Sequence, residues 1–199
     1  YIWAVANVTR MTGDLAFARR HWERVKKVAA YIESLRAQRM TSEYAEHAGQ
    51  KNPKAKFYGL VPESISHEGY SAKPMHSYWD DFFVLLGLKE AAWLAGQVGE
   101  PGEAARLGAL ADEFRGTLVR SIDLARAEAG IDYIPGCAEL GDFDATSTTI
   151  ALAPCDEQDG LPGDALRATI DRAWTNFVAR RESIAWDAYT PYELRQVGS

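Results

Sequence analysis

Residues 77–98 read SYWDDFFVLLGLKEAAWLAGQV, a run that leaves almost no polar face on a helix. Successive residues of an α-helix are rotated by about 100°, so the apolar side chains of this run point in every direction around the axis. A helix that is apolar all round lies buried on all sides. We therefore predict a helix over 77–98 in the interior of the fold, ended by Gly99-Glu100-Pro101-Gly102.

The segments on either side of this run have apolar residues on one face only. A long helix is predicted from Asp14, after the turn and cap at Thr12-Gly13-Asp14, to about Ala48, and another over 103–128. Their apolar stripes are Leu15, Ala18, Trp22, Val25, Ala29 and Ile32, and then Leu107, Leu110, Phe114 and Leu118. Buried helices alternating with one-faced helices are typical of an inner ring wrapped by an outer ring.

The rest of the chain continues the helical pattern. We predict a short strand at Ile131–Ile134, a small helix over 144–153, an amphipathic helix over 164–178 and the start of a further helix at 189–195. The stripe of the 164–178 helix consists of Leu166, Ile170, Trp174 and Phe177. The fold class is therefore all-α, and its length suits a single domain or a fragment of one over residues 1–199.

Composition narrows the class of protein and of partner. The 199 residues are 47% hydrophobic and 25% charged, which is ordinary for a globular chain, and the net charge of −6 argues against a nucleic-acid surface. No apolar run approaches the roughly 20 residues of a membrane span, so no membrane partner is expected. Two cysteines, Cys137 and Cys155, are better interpreted as free thiols than as a disulfide framework. Because the chain opens with Tyr1 rather than Met, it is expected to be a fragment or a processed product of a longer protein. Both a secreted or periplasmic and a cytoplasmic location stay open.

A long loop over residues 49–75 runs into the buried helix and concentrates chemistry-bearing side chains. Loops held by a rigid scaffold carry function out of proportion to their length. Aromatic rings beside carboxylic acids suit a carbohydrate, because rings cover the apolar faces of sugars and acids hold hydroxyls or protonate a glycosidic oxygen. The carboxylates of the loop and of the helix start are Glu63, Glu68, Asp80 and Asp81; the histidines and aromatic residues are Tyr58, His67, Tyr70, His76, Tyr78 and Trp79.

Three stretches follow one another along the chain: Met11-Thr12-Gly13-Asp14 with the helix behind it, Gly59-Leu60-Val61-Pro62-Glu63-Ser64 leading to Tyr78-Trp79-Asp80-Asp81, and Gly141-Asp142-Phe143-Asp144-Ala145-Thr146-Ser147. In this order they resemble the six-hairpin glycosidases, the α/α-toroid superfamily of glucoamylases and trehalases, and most of all a bacterial branch of it. The resemblance implies an incomplete α/α toroid with alternating inner and outer helices, of which this chain would supply about half.

The resemblance also implies an activity. It is the hydrolysis of a glycosidic bond in an oligo- or polysaccharide by paired carboxylates, with inversion at the anomeric carbon. Glu63 occupies a position like that of the general acid, the base would fall beyond Ser199, and Asp80 and Asp81 are the next candidates. The sugar subsite would be shaped by Tyr58, His67, Tyr70, His76, Tyr78, Trp79 and Asp144. Neither a cofactor nor a metal ion is implied.

Each of these residues also has a purely structural interpretation. Glu63 could cap a helix or pair with Lys73, and negative charge from Asp80 and Asp81 suits the first turn of a helix. Asp144 is a natural N-cap for the helix that follows it.

A metal site is a weak hypothesis for this loop. His67 and His76 with Glu68 or Asp80 match no standard zinc spacing. His76 is as well suited to capping the helix or to bonding a hydroxyl.

Two other functions compete with hydrolysis. The first is a non-catalytic helical module that binds a glycan or a protein partner; a truncated toroid would then expose apolar surface and could self-associate. The second is a lyase of the same architecture, which would need arginines around an acidic sugar, and few lie near the long loop. An enzyme should bring Glu63, Asp80 or Asp81 and aromatic rings to one concave pocket, whereas a scaffold would scatter them.

Overall fold

The computed structural model describes residues 1–65, 72–182 and 191–198. These residues form six α-helices: α1 (Ile2–Thr12), α2 (Leu15–Ala37), α3 (Tyr78–Val98), α4 (Pro101–Ala129), α5 (Ala145–Leu152) and α6 (Gly163–Arg181). Two 3-10 segments span Ala55–Phe57 and Pro191–Gly198. Extended segments in the same ranges are joined only by isolated bridges, so the predicted all-α class is confirmed. Within these ranges, none of the helices is both long and apolar enough to cross a membrane.

The chain divides into two compact units. The first contains Tyr1–Pro62 and Asp80–Leu118, and the second contains Glu63–Trp79 and Val119–Ser199. The first unit therefore holds α1, α2, nearly all of α3 and the beginning of α4. The second holds the end of α4, α5 and α6.

Helix α3 is buried around its whole circumference. Its buried positions are Tyr78, Asp81, Phe82, Leu85, Leu86, Leu88, Glu90, Ala91, Leu94 and Ala95. At about 100° per residue these positions cover every side of the axis, which confirms the predicted interior helix. Phe83 is the main apolar exception, with 38% of its surface exposed.

The only buried glutamate of α3 is matched by a cation from α1. Arg10 donates hydrogen bonds to both carboxylate oxygens of Glu90. The Arg10 guanidinium also lies 4.2 Å from the centre of the Trp93 ring. A buried charge needs such a partner, and this pair ties α1 to α3.

Helix α2 begins as predicted but ends earlier. The Asp14 side chain caps it by accepting a 2.8 Å bond from the Phe17 amide. The predicted end near Ala48 is wrong, because the last turn tightens at Ala37: the Gln38, Arg39 and Met40 amides each bond three residues back. No glycine or proline marks this end in the sequence.

The buried face of α2 explains part of that early end. Ala18, Trp22, Val25, Ala29 and Ile32 are buried as predicted, whereas Leu15, the first residue of the predicted stripe, is 36% exposed. The buried row continues with Arg36, which is 2% exposed. Arg36 Nε donates a 2.9 Å bond to the Gly59 carbonyl, and its guanidinium pairs with Glu113 of α4. The loop after α2 is thereby held back against the helix.

Helix α6 buries a different face from the one predicted. Its buried residues are Ala165, Thr169 and Ala173, whereas Trp174 is 61% and Phe177 45% exposed. Thr169 Oγ1 donates to the Ala165 carbonyl and accepts a 2.9 Å bond from the Ile134 amide. The predicted strand at Ile131–Ile134 is wrong, because the structure has no strand there. Small residues let α6 pack closely; of the predicted stripe, Trp174 and Phe177 are exposed and Leu166 and Ile170 are half-buried.

Candidate functional site

Short antiparallel pairings in the second unit bring distant loop residues together. Ser64 pairs with Met75, Ser77 with Cys137, and Pro135 with Phe143. The Ser64 and Met75 amides donate to each other's carbonyls at 2.9 and 3.0 Å, and the Ala138 amide donates to the His76 carbonyl at 3.0 Å. The residues that flank these bonds are Glu63, His76 and Glu139.

Glu63, His76 and Glu139 form what we call the acid–imidazole cluster. The His76 ring is buried, with 7% of its side chain exposed, and its Nδ1 lies 2.6 Å from a Glu139 carboxylate oxygen. Its Nε2 lies 3.4 Å from Glu63 Oε2. The Glu63 side chain is 44% exposed. The cluster thus sets an open carboxylate against a buried imidazole that a second carboxylate holds in place.

The contacts with His76 lower the pKa of Glu139. Burial by itself raises the pKa of Glu139, but hydrogen bonds from the His76 side chain and amide, and the interaction with the His76 charge, outweigh it and lower the pKa overall. Glu139 is therefore a carboxylate at neutral pH and accepts the Nδ1 proton. His76 Nε2 is left to face Glu63. A neutral ring would accept a hydrogen bond there from a protonated Glu63, whereas an imidazolium would donate one to its carboxylate.

Because the folded-state pKa of Glu139 is lowered, its contribution to stability has a defined pH dependence. The contribution is fully present above the unfolded-state pKa, about 4.3, and is lost as pH falls through the lower folded-state value. We expect the free energy of unfolding of the wild-type chain to exceed that of Glu139→Gln at pH 6, and the gap to narrow towards pH 3. Urea unfolding monitored by circular dichroism over this range measures it. A gap that stays constant or widens in acid would contradict the assigned role of Glu139.

The two aspartates at the start of α3 differ in accessibility. Asp81 has no exposed surface, and its carboxylate accepts a 3.2 Å bond from the Val61 amide within the first unit. Asp80 is half-buried. The Asp81 contact favours a structural role, since it holds the Gly59–Pro62 loop segment against the first turn of α3.

The two aromatic residues at the start of α3 also differ. Tyr78 is fully buried, and its hydroxyl shares a 2.9 Å hydrogen bond with Ser121 Oγ. The Trp79 ring is half-buried, with the Arg195 guanidinium 4.5 Å from its centre and the Tyr192 ring 6.4 Å away. Tyr78 is therefore part of the core of the second unit, and Trp79 already contacts aromatic and cationic groups of its own chain.

The remaining predicted site residues are separate from the acid–imidazole cluster or cannot be placed. Tyr58 is half-buried after the first 3-10 segment. Asp144 caps α5 by accepting bonds from the Ser147 amide and hydroxyl, and burial raises its pKa although these bonds oppose the shift. His67 and Tyr70 lie outside the described residues.

Sequence reasoning missed Glu139 entirely. It lies 63 positions after His76, in a segment with no recognisable motif, and only the pairing of the two extended segments brings the residues together. Cys137 and Cys155 are buried and are not joined in a disulfide, as expected. In the described ranges, no three or more His, Cys, Asp or Glu side chains are grouped so as to hold a metal ion.

No protein-family model, curated protein or solved structure matches this chain. The geometry of the second unit is therefore the main basis for any functional assignment.

Proposed function

We propose that the chain is a portion of the catalytic domain of a six-hairpin glycoside hydrolase, an α/α toroid that cleaves glycosidic bonds in an oligo- or polysaccharide. The observation that carries the proposal is the acid–imidazole cluster, in which the partly exposed Glu63 lies against a buried and oriented His76. The helix pattern of the first unit supports it. There α3 is buried all round, while α2 has one buried face, as expected of inner and outer helices.

Glu63 is the general acid in this proposal. As the C–O bond to the leaving group breaks, the Glu63 carboxyl gives its proton to the leaving oxygen. Water adds to the anomeric carbon and gives a proton to a second carboxylate, which acts as the general base. His76 Nε2 lies 3.4 Å from this carboxyl, and Glu139 keeps the ring oriented through Nδ1. Glu139 is a positioning residue, because its carboxylate is already occupied by His76.

An inverting route needs a second carboxylate to activate water, about 6.5–9.5 Å from the first. Glu139 is not suited to that role, since it accepts three bonds from His76. Inversion itself follows from the resemblance. It is checked by recording the anomer released in the first turnover by proton NMR.

The test is an assay of the longer protein of which this chain is expected to be a piece, against a panel of neutral α- and β-linked oligosaccharides, with new reducing ends as the readout. Release from at least one linkage, abolished by Glu63→Gln, supports the proposal. Absence of product from every member of the panel, with that protein folded by circular dichroism, contradicts it.

A non-catalytic helical module that binds a glycan or a protein is the second candidate. It is favoured by the burial of Asp81 and Tyr78, because their polar atoms bond to Val61 and Ser121 within the fold and are not exposed to a ligand. Such a module binds its ligand without turnover, and its affinity is unchanged by Glu63→Gln.

A further inference from the structure

Helix α6 carries a pair of stacked aromatic rings on its outer face. The Trp174 and Phe177 ring centres are 5.5 Å apart, with 24° between the ring planes. Trp174 is 61% and Phe177 45% exposed. Fully burying a side chain of this size stabilises a fold by about 1.5–3 kcal/mol, so the outward position forgoes much of that stabilisation. The inward positions are taken by Ala165, Thr169 and Ala173.

An open groove of about 710 Å³, lined by several charged residues, lies along the same helix. Trp174 follows Asp171 by three positions and Arg167 by seven, so it lies on the same side of α6 as these two groove residues, although it does not itself line the groove. The volume falls within the range of small-molecule sites. The groove is lined by Asp132, Asp164, Arg167, Ala168, Asp171, Arg172, Thr175 and Asn176.

One cation of the groove is held in place by aromatic rings. The Arg172 guanidinium lies 4.8 Å from the Tyr133 ring centre and 5.1 Å from that of Phe143. These two rings pack edge to face at 5.3 Å, which gives Arg172 a fixed support. A guanidinium held in this way presents planar N–H donors with little loss of side-chain entropy on binding.

The charges in the groove are balanced. Asp164 is paired with Arg126 at 3.0 Å, which leaves Asp132 and Asp171 against Arg167 and Arg172. A polyanion or a polycation would meet like charge here at a cost in binding free energy. A neutral polyhydroxylated ligand would meet carboxylates, guanidinium groups and an amide, which can accept hydrogen bonds from its hydroxyls or donate hydrogen bonds to them.

We propose that the groove and the Trp174–Phe177 pair form a binding site for neutral oligosaccharides on the outer face of α6. The exposed ring of Trp174 covers the apolar face of a sugar ring, and the groove side chains bond its hydroxyls. The site goes beyond the proposed hydrolysis, because no member of the acid–imidazole cluster lines it. Its role is to hold a glycan chain rather than to cleave it.

Isothermal titration of the 199-residue chain with neutral hexasaccharides (cellohexaose, maltohexaose, xylohexaose and mannohexaose) tests the site. Trp174→Ala is expected to weaken binding of the recognised sugar at least tenfold, and Asp171→Ala to weaken it by a smaller factor. The matched control is Trp3→Ala, which removes an exposed tryptophan of α1 (44% exposed) and should leave the affinity unchanged. All titrations are repeated in the Glu63→Gln background, so that hydrolysis cannot remove the ligand and a failure of the hydrolase proposal does not alter the result.

Three results would overturn the proposal. The first is no binding to any neutral probe by a folded chain. The second is binding that Trp174→Ala leaves intact, or that is confined to a galacturonate hexamer. The third is a chain that binds no sugar but self-associates, and that Trp174→Ala converts to a monomer in sedimentation experiments. That result would identify the aromatic pair as a protein interface.

Discussion

Glu63→Gln is expected to lower kcat on natural oligosaccharides by about 10²–10⁴-fold, the usual contribution of a positioned general acid. Glutamine has nearly the same shape, and its amide can still lie against His76 Nε2, but it cannot give a proton to the leaving oxygen. KM should change little, since the substitution removes an interaction made mainly in the transition state. Steady-state kinetics of reducing-end release measure both constants.

A substrate whose leaving group needs no protonation tests the acid role of Glu63 more specifically. An aryl glycoside with an acidic phenol needs no protonation to depart, so the loss caused by Glu63→Gln should shrink on that substrate. Glu100→Gln, an exposed glutamate between α3 and α4, is the matched control and should leave both rates unchanged. An equal loss on both substrates would remove Glu63 from the acid role.

Phe82→Ala should lower the free energy of unfolding by about 3–5 kcal/mol. Phe82 has no exposed surface on the all-round buried α3, so truncation leaves a cavity in the first unit. Phe83→Ala is the matched control: the next residue on the same helix is 38% exposed, and its truncation should cost about 1 kcal/mol or less. Urea unfolding followed by both fluorescence and circular dichroism measures the two changes.

Equal losses for the two substitutions would contradict the assignment of buried and exposed sides on α3. Coincidence of the two optical transitions is part of the measurement, because the chain contains two compact units and a single free energy requires two-state unfolding.

Local patterns in the sequence were enough to predict much of the helical framework. The unbroken apolar run of α3 indicates burial on all sides because no polar face remains for water. Asp14 and Asp144 precede helices at positions where a carboxylate can accept amide hydrogen bonds, and both do so. These signals lie within one or two helical turns.

Where the fold depended on packing, the sequence was less informative. The period of α6 was visible, but the sequence does not show whether its large residues or its small ones face inward. The early end of α2 depends on Arg36, which contacts Gly59 and Glu113 far along the chain. Because such contacts fix its last turn, α2 ends without a glycine or proline that would predict the end from the sequence.

The candidate site was predicted only in part, because some of its contacts also join residues that are distant in the sequence. Glu63 and His76 were recognised because they lie in one loop with carboxylates and rings. Glu139 lies beside them only because Ser77 pairs with Cys137, and no local sequence pattern predicts that pairing. Tyr78 was expected in a sugar subsite, but its hydroxyl is bound to Ser121 in the core, a partner 43 residues away.

A crystal structure of the Glu63→Gln variant with a bound oligosaccharide tests the central claim most directly. The proposal predicts a glycosidic oxygen within about 2.6–3.2 Å of the residue 63 side chain, with His76 still held by Glu139. A sugar bound only on α6, or a residue 63 side chain with no glycosidic oxygen in reach, would contradict the catalytic assignment.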